Sequence, residues 1–205
     1  MLPVAAVISA LVVPFFVALH YHRRWKEMKS AHIDTVRTLV SAIDAADPFT
    51  RGHAERISAM SLKIGRRLKM TEDQLEELEY AALIHDIGRA AIYYDVLLKP
   101  GRLDDDEKAL MQTHPKVGYD IIQNLKFMQG AAEIVHAHHE QPDGNGYPRK
   151  LSGDAIPVGS RIIMAAATYD AMTQDRPYRR GLSAEAAIEE LEAKSGIQFF
   201  PAIVK

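Results

Sequence analysis

Apolar residues recur at helical spacing along most of the 205-residue chain. Ile33, Val36, Val40 and Ile43 follow one another at steps of three or four, which predicts one amphipathic helix over residues 22–46. Further helices are predicted over 52–69, from Thr71 to near Gly88, from Asp105, from Pro115, and over 130–140, 158–173 and 184–195. Because no stretch of useful length alternates apolar and polar residues, the predicted class is all-α.

Turn and cap residues set the expected helix boundaries. Thr71 is followed three residues later by Gln74, a capping box that predicts a helix start. Gly88 is expected to end that helix, since glycine is a common C-terminal stop. Pro48 is expected to end the first long helix, because the residue before a proline avoids the α region. Residues 141–157 contain three prolines and three glycines and are predicted to form a loop.

The N-terminal segment differs from the rest of the chain. Residues 2–19 carry no charge and are almost all apolar. As a helix they would extend about 27 Å, close to a hydrocarbon core of roughly 30 Å. The basic residues and Trp25 that follow predict a single-pass membrane anchor, with the N-terminus outside and the remainder in the cytoplasm. A cleaved signal peptide is the alternative, but its positive charge would precede the apolar run.

Three parts are therefore expected along the chain. They are a membrane-anchor helix over 1–20, an amphipathic connecting helix over 21–46 and a helical domain over 47–205. The apolar steps within 22–46 fit either a coiled-coil seam between two chains or a helix packed within one chain. A homodimer through residues 22–46 is one alternative, and packing within the chain is the simpler one.

Composition limits the chemistry. The net charge is −2, which gives no general reason to expect a nucleic acid polymer as partner. The chain has no cysteine, so disulfides and thiolate metal ligands are excluded. Any metal site must use His, Asp, Glu or water, and such donors suit Fe, Mn, Zn or Ni.

Five of the nine histidines stand in contexts that suit a metal site. His85 and Asp86 are adjacent, so that an imidazole can bind one ion while the carboxylate bridges two. Two ions about 3.5–4 Å apart activate a water and stabilise in-line displacement at phosphorus. The further candidates are His53, His114, His138 and His139. A single buried histidine is more often a hydrogen-bonded core residue, and structural or solvated roles are assigned to His20, His22, His32 and His136.

Ordered motifs extend from residue 44 to about residue 200. His85-Asp86-Ile87-Gly88 resembles the HD signature, and residues 138–148 are similar to the HHE-x-x-DG-x-GYP signature. The remaining motifs follow in order: Lys99 to Leu103, His114-Pro115, Ile156-Pro157, Arg161-Ile162 and Asp175 to Arg179. The chain thus resembles the HD-GYP family, bacterial phosphodiesterases with an HD-type helical bundle. The resemblance implies hydrolysis of cyclic di-GMP or a related cyclic dinucleotide by a metal-activated water. The expected membrane anchor would place this activity at the inner membrane.

The resemblance also implies roles for individual residues. Two divalent ions, Fe or Mn before Zn, Ni or Mg, would be bound with Asp86 as the bridge. The implied ligands are His53, His85, Asp86, His114, His138 and His139. Asp86 and Arg89 are the implied catalytic residues. Substrate contacts are implied for Arg89, Gly144, Tyr147, Pro148, Asp170, Arg176 and Arg179.

Four positions depart from the family pattern. Ala167 replaces a ligand aspartate, Arg89 replaces a lysine, Phe49 lacks the carboxylate of a third metal site, and Phe200 replaces an aspartate. At the gap left by Ala167, water takes the ligand position, Asp170 substitutes, or the metal binds poorly. The family usually continues beyond residue 205, which leaves open whether the C-terminus is truncated.

Three functions compete at this point. The first is an active cyclic dinucleotide phosphodiesterase. The second is a catalytically degenerate module that binds a nucleotide or a partner protein, a hypothesis motivated by Ala167 and Phe200. The third is a phosphohydrolase for another nucleotide. The match of Gly144–Pro148 to the family's GYP loop disfavours it.

Overall fold

The computed structural model describes residues 4–44, 52–97, 99, 101–175 and 180–204. Within these ranges the chain forms ten α-helices: α1 Val4–Asp44, α2 His53–Arg67, α3 Glu72–Ile84, α4 Tyr94–Leu97, α5 Asp105–Met111, α6 His114–Ile122, α7 Gln129–His136, α8 Val158–Thr173, α9 Ala184–Ala193 and α10 Pro201–Val204. Short 3-10 segments cover Ile87–Ala91, Lys126–Met128 and Gly153–Ala155. The described residues contain isolated β-bridges but no strand, so the all-α prediction is confirmed.

The chain divides into two compact units, residues 1–39 and 40–205. Most of the first unit is α1, and exposed apolar side chains line it at Val12, Val13, Phe15, Phe16, Val17 and Leu19. Among the described residues, no helix combines the length and the apolarity needed to cross a membrane. The predicted membrane-spanning helix therefore gains no support from the structure. Pro48, the expected end of the first helix, lies outside the described residues.

The core of the second unit is built around α2. This helix packs against α3 and α8, while α7 packs against α3 and α6. Each of these helices buries an apolar face, and Ile57, Leu78, Val135 and Ile162 are fully buried. A fully buried side chain of this kind contributes about 1.5–3 kcal/mol. The ends of these packed helices carry the candidate ligands, so the core fixes their relative positions.

The third helix begins as predicted but ends earlier. Thr71 accepts a hydrogen bond from Gln74 N, and the Gln74 side chain accepts one from Thr71 N, which confirms the capping box. The helix ends at Ile84, and Gly88 lies within the following 3-10 segment. A Cβ at Gly88 would lie 2.0 Å from the carbonyl oxygen of His114. Glycine is needed here for close contact with α6, so its prediction as a helix stop was wrong.

The helix predicted over residues 130–140 ends at His136. Beyond it, the carbonyl oxygen of His139 accepts a hydrogen bond from Tyr147 N, and the two residues form an antiparallel bridge. The carboxylate of Glu140 accepts from two amides of the same loop. Because the loop supplies partners to residues 139–140, the backbone there does not continue the helix. The predicted loop over 141–157 is confirmed, apart from its single 3-10 turn.

The C-terminal helices α9 and α10 pack on α8. Met164, Ala165, Leu191 and Phe199 form the buried cluster between them. The next residue, Phe200, presents its ring to the guanidinium of Arg161, whose carbon lies 4.1 Å from the ring centroid. The residue that departs from the family pattern at this position therefore makes a cation–π contact with α8.

Candidate metal centre

The structure brings the six predicted ligands together in two adjacent groups. One group contains Asp86, His114, His138 and His139, and the other contains His53, His85 and Asp86. In each group, one ligand atom per residue lies within 4.8 Å of all the others. Asp86 belongs to both groups, as a bridging carboxylate must. The side chains come from the start of α2, the end of α3, the start of α6 and the turn after α7.

Imidazole nitrogens surround the Asp86 carboxylate. The Nε2 atom of His85 lies 3.3 Å from Oδ2 of Asp86, and the Nε2 atom of His114 lies 3.3 Å from Oδ1. The Nε2 atoms of His114 and His138 are 3.2 Å apart. Three ring nitrogens and two carboxylate oxygens thus converge on one small volume.

Backbone carbonyl groups fix the orientation of three of these rings. The Nδ1 atoms of His85, His114 and His138 lie 2.8, 2.8 and 2.6 Å from the carbonyl oxygen three residues earlier. A carbonyl oxygen only accepts, so Nδ1 carries the proton, and in the neutral ring Nε2 carries a lone pair. Histidines that bind metals are commonly held in this way by a partner on the other ring nitrogen.

His53 is held by a carboxylate instead of a carbonyl group. Its Nδ1 lies 2.6 Å from Oδ2 of Asp170, which leaves Nε2 as the free ring nitrogen. Arg56, one turn further along α2, donates from Nε to Oδ1 of Asp170 at 2.5 Å and from Nη2 to Oδ2 at 2.9 Å. Burial raises the pKa of Asp170, but the hydrogen bonds from His53 and Arg56 outweigh it and lower the pKa to about 2. Asp170 is therefore ionised, and both of its oxygens have partners.

Electrostatics favour neutral imidazoles at His114, His138 and His139, beside an ionised carboxylate. Burial lowers the pKa of His114 and, together with His139, holds the pKa of His138 well below its ordinary value. Burial and the neighbouring His114 lower the pKa of His139 to about 3. Burial alone would raise the pKa of Asp86, yet Arg89 and His85 outweigh it and hold that pKa well below its usual range. Burial would lower the pKa of His85, but the Asp86 carboxylate outweighs it and raises that pKa. The first ligand group therefore offers lone pairs on its three neutral rings.

The donor set fits a cation. Oδ1 of Asp86 is buried and has no hydrogen-bond partner among the described residues. The facing Nε2 atoms of His114 and His138 have no proton to share, because both Nδ1 atoms hold theirs. A buried acceptor normally has a partner, and several bare acceptors in contact are unfavourable. Neutral imidazole nitrogens and a carboxylate are ligands suited to divalent Fe, Mn or Zn, and a cation among them supplies the missing partner.

Two predicted site residues lie beside these groups. Nη2 of Arg89 is 3.0 Å from Oδ2 of Asp86, so the guanidinium borders the bridging carboxylate. Ala167 lies on α8 one turn before Asp170 and has no donor atom. Asp170 is 2% exposed and fully engaged by His53 and Arg56. The predictions that Asp170 binds substrate or replaces the ligand missing at 167 are therefore not supported.

The GYP loop folds back over the end of the first group. Tyr147 N donates to the carbonyl oxygen of His139 at 3.1 Å, and the two rings stack with centroids 4.7 Å apart and planes 18° apart. The buried carboxylate of Glu140 accepts from Arg149 N at 2.6 Å and from Leu151 N at 3.0 Å. Burial raises the pKa of the Tyr147 hydroxyl well above its ordinary value, so the hydroxyl stays protonated.

The other predicted residues fall into three cases. Gly144 adopts a left-handed conformation with φ of 80°, and Pro148 directly follows the stacked Tyr147. His136 is buried against Tyr119 in a parallel stack and belongs to neither ligand group, as its structural assignment predicted. The remaining two, Arg176 and Arg179, lie outside the described residues.

Sequence reasoning gives no role to Arg56 or Glu140, although both support candidate ligands. Arg56 stands three residues after His53, a spacing that places both side chains on one face of a helix. Glu140 directly follows His139 and is completely buried, but a carboxylate beside two histidines looks like a further ligand from sequence alone. Its actual partners are backbone amides, which no sequence pattern specifies.

Comparisons with known proteins place the chain among relatives of one kind. A family profile described as an HD domain matches residues 37–203. The chain is 38% identical over 180 residues to the cyclic di-GMP phosphodiesterase response regulator RpfG of Xanthomonas campestris, covering 87% of this chain and 48% of that protein. It is 34% identical over 181 residues to the 3'3'-cGAMP-specific phosphodiesterase 2 of Vibrio cholerae, covering 87% and 35%. The crystal structure of the cyclic GMP-AMP specific phosphodiesterase V-cGAP3 of V. cholerae matches with a TM-score of 0.68 and 25% identity, covering 84% of this chain and 46% of that chain.

The HD domain profile spans far more than half of the sequence. The chain therefore belongs to the HD domain family and, within it, to the HD-GYP proteins that the motifs indicated. It spans about half the length, or less, of the curated relatives named above.

Proposed function

We propose that the chain is a metal-dependent phosphodiesterase that hydrolyses a cyclic dinucleotide, cyclic di-GMP or a related one. One observation carries the proposal: bare imidazole nitrogens and an unpartnered carboxylate oxygen converge around Asp86 in two ligand groups. The relatives are named as phosphodiesterases for cyclic di-GMP and 3'3'-cGAMP, which supports this substrate class.

The geometry of the two groups supports a specific set of proposed ligands. His114, His138, His139 and Asp86 would hold one divalent ion, and His53, His85 and Asp86 the other, with Fe or Mn as the proposed metals. Bound there, the ions would activate a water and stabilise displacement at phosphorus. Asp86 stays ionised and shared between the two groups, and the carbonyl partners keep the buried rings in the binding tautomer.

The chain supplies further groups for a dianionic substrate. Arg89 borders Asp86 with a permanent positive charge, which suits a phosphate oxygen. The GYP loop, with Gly144, Tyr147 and Pro148, lies over His139 and would form one wall of the substrate mouth. Guanidinium groups at 176 and 179 are proposed to contact phosphate or guanine, on sequence grounds alone.

Hydrolysis by the purified chain tests the proposal directly. The chain is stripped with a chelator, reloaded with Mn or Fe, and incubated with cyclic di-GMP and with 3'3'-cGAMP. We expect linear dinucleotide from at least one substrate and about two ions per chain by elemental analysis. Asp86→Asn should abolish both, while Asp105→Asn, a change at a fully exposed carboxylate, should alter neither. No product at any metal loading would exclude the proposed activity.

Ala167 favours a second candidate, a degenerate module that binds a nucleotide without turnover. The structure leaves the second ligand group with His53, His85 and a share of Asp86. If the gap at 167 has ended catalysis, Ala167→Asp should raise the metal content and create activity in a chain that binds cyclic di-GMP but does not cleave it. Unchanged metal content in Ala167→Asp would count against this explanation.

Two predictions about the N-terminal part stay predictions. Membrane attachment through residues 2–19 rests on the uncharged apolar sequence, and fractionation of the full chain with and without this segment tests it. Dimer formation through residues 22–46 rests on the apolar spacing there. Sedimentation of the full chain before and after a charged substitution at Ile33 tests the dimer.

A further inference from the structure

His139 is held differently from the other four candidate histidines. His85, His114 and His138 each donate Nδ1–H to a carbonyl oxygen, and His53 donates to Asp170. In the described part of the chain, the His139 ring has no such partner. Its closest parallel neighbour is the Tyr147 ring, with centroids 4.7 Å apart and an interplanar angle of 18°.

The backbone holds Tyr147 firmly in this position. Tyr147 and His139 form an antiparallel bridge, with Tyr147 N donating to the His139 carbonyl oxygen at 3.1 Å. Glu140, 1% exposed, anchors the residues that follow the tyrosine by accepting from two of their backbone amides. Just before the tyrosine, a Cβ at Gly146 would lie 2.4 Å from Cα of Glu140. The loop is therefore fixed on both sides of Tyr147, which lies directly against His139.

We propose that Tyr147 is a positioning residue for His139, and that its ring replaces the Nδ1 hydrogen bond that orients the other four imidazoles. The inference rests on the proposed metal centre. A stacked ring restricts rotation of the imidazole about its bond to Cβ, so a ring nitrogen of His139 faces the group formed by Asp86, His114 and His138. The role belongs to the flat face of the tyrosine and not to its hydroxyl.

The chain contains a matched stack away from the ligand groups. Tyr119 and His136 also pack in parallel, with centroids 4.5 Å apart and planes 25° apart. His136 is buried, as His138 is, but belongs to neither ligand group. Loss of this second stack removes the same kind of contact without removing a ring that touches a candidate ligand.

Three variants separate the ring, the hydroxyl and general packing. Tyr147→Phe keeps the ring, Tyr147→Leu removes it, and Tyr119→Leu removes the matched stack. Chelator-stripped full chains are titrated with Mn(II) by calorimetry, and metal-free unfolding is measured alongside. We expect about tenfold weaker affinity for the tighter ion in Tyr147→Leu, the upper end of what an aromatic pair contributes. Tyr147→Phe and Tyr119→Leu should bind this ion as the wild-type chain does.

A second readout does not need metal. In the metal-free chain, the ring proton resonances of His139 should be shifted upfield by the Tyr147 ring current, and this shift should persist in Tyr147→Phe and vanish in Tyr147→Leu. Equal metal affinity in Tyr147→Leu and the wild type would overturn the inference, as would equal losses in Tyr147→Phe and Tyr147→Leu. A wild-type chain that binds no metal would overturn the proposed function and the inference with it, a result distinct from the first two.

Discussion

Asp170→Asn should weaken both the fold and the second ligand group. The carboxylate is 2% exposed and joins α8 to two residues of α2. It accepts from Nδ1 of His53 at 2.6 Å and from two nitrogens of Arg56 at 2.5 and 2.9 Å. An asparagine has the same shape but no charge, and one of its two terminal atoms is a donor. The substitution therefore removes the negative charge that Arg56 contacts through two nitrogens and turns an N–H towards a donor.

The pKa of Asp170 sets the size of the effect. A shift from 3.8 to about 2 corresponds to about 2 kcal/mol of stability, at about 1.4 kcal/mol for each unit. The pKa is lower in the folded chain, so this stability is fully present above about pH 4, where the unfolded chain is also ionised. It is lost progressively as the pH falls through about 2. At neutral pH, Asp170→Asn should thus cost about 2 kcal/mol in the metal-free chain.

Urea unfolding of the metal-free chain, at pH values from 7 down to 2, measures this cost. The difference between wild type and Asp170→Asn should shrink as the pH falls from about 4 to 2. Asp154→Asn is the matched control, because Asp154 also pairs with an arginine, at 3.2 Å, but is fully exposed. That variant should differ little from wild type at any pH. Metal titration should show about 10- to 100-fold weaker binding at the His53 group of Asp170→Asn. A variant as stable as wild type at pH 7 would refute the reasoning.

Three further changes test other parts of the structure. Gly146→Ala places a Cβ 2.4 Å from Cα of Glu140, so urea unfolding should show a loss of about 1–3 kcal/mol. Phe200→Ala removes the ring beneath Arg161 and should lower stability by about 1 kcal/mol, whereas Phe200→Tyr should keep it. Burial and neighbouring carboxylates raise the pKa of Glu77, so its charge opposes folding. Glu77→Gln should raise the urea midpoint slightly at pH 7 and lose this advantage below about pH 4, where the glutamate is protonated in both states.

The sequence predicted the helices well and singled out six candidate ligands that the structure brings together, for physical reasons. Helical spacing and the capping box at Thr71 are local signals, because the hydrogen bonds that form these structures join residues close together in the sequence. The candidate ligands stand in motifs whose residue types are needed for metal chemistry. Such motifs can therefore be recognised in the sequence alone. By contrast, the role of Gly88 and the last residue of α7 were predicted wrongly. Contacts with residues distant in the sequence determine both. A glycine required by a carbonyl oxygen of α6 looks the same in a sequence as a glycine that ends a helix.

The supporting contacts could not be predicted for the same reason. Asp170 is 117 positions from His53, and only the packing of α8 on α2 brings the two side chains together. Sequence reasoning therefore left Asp170 free to replace the ligand missing at 167. Likewise, the spacing between His139 and Tyr147 says nothing about the angle between their rings. The donor atoms of a site are visible in a sequence, whereas the groups that orient them depend on the fold.

These orienting contacts also limit the expected effect of Ala167 on metal binding to the group that contains His53 and His85. Asp170 cannot both hold Nδ1 of His53 and move to replace the absent ligand, because its second oxygen is bound by Arg56. Moving it would release His53, so the second group would exchange one ligand for another and gain none. The group that contains His114, His138 and His139 shares only Asp86 with the second group, and its rings have their own partners. In the proposed centre, Ala167 should therefore weaken only one half, and activity should depend on free metal concentration at the second group while the first remains occupied.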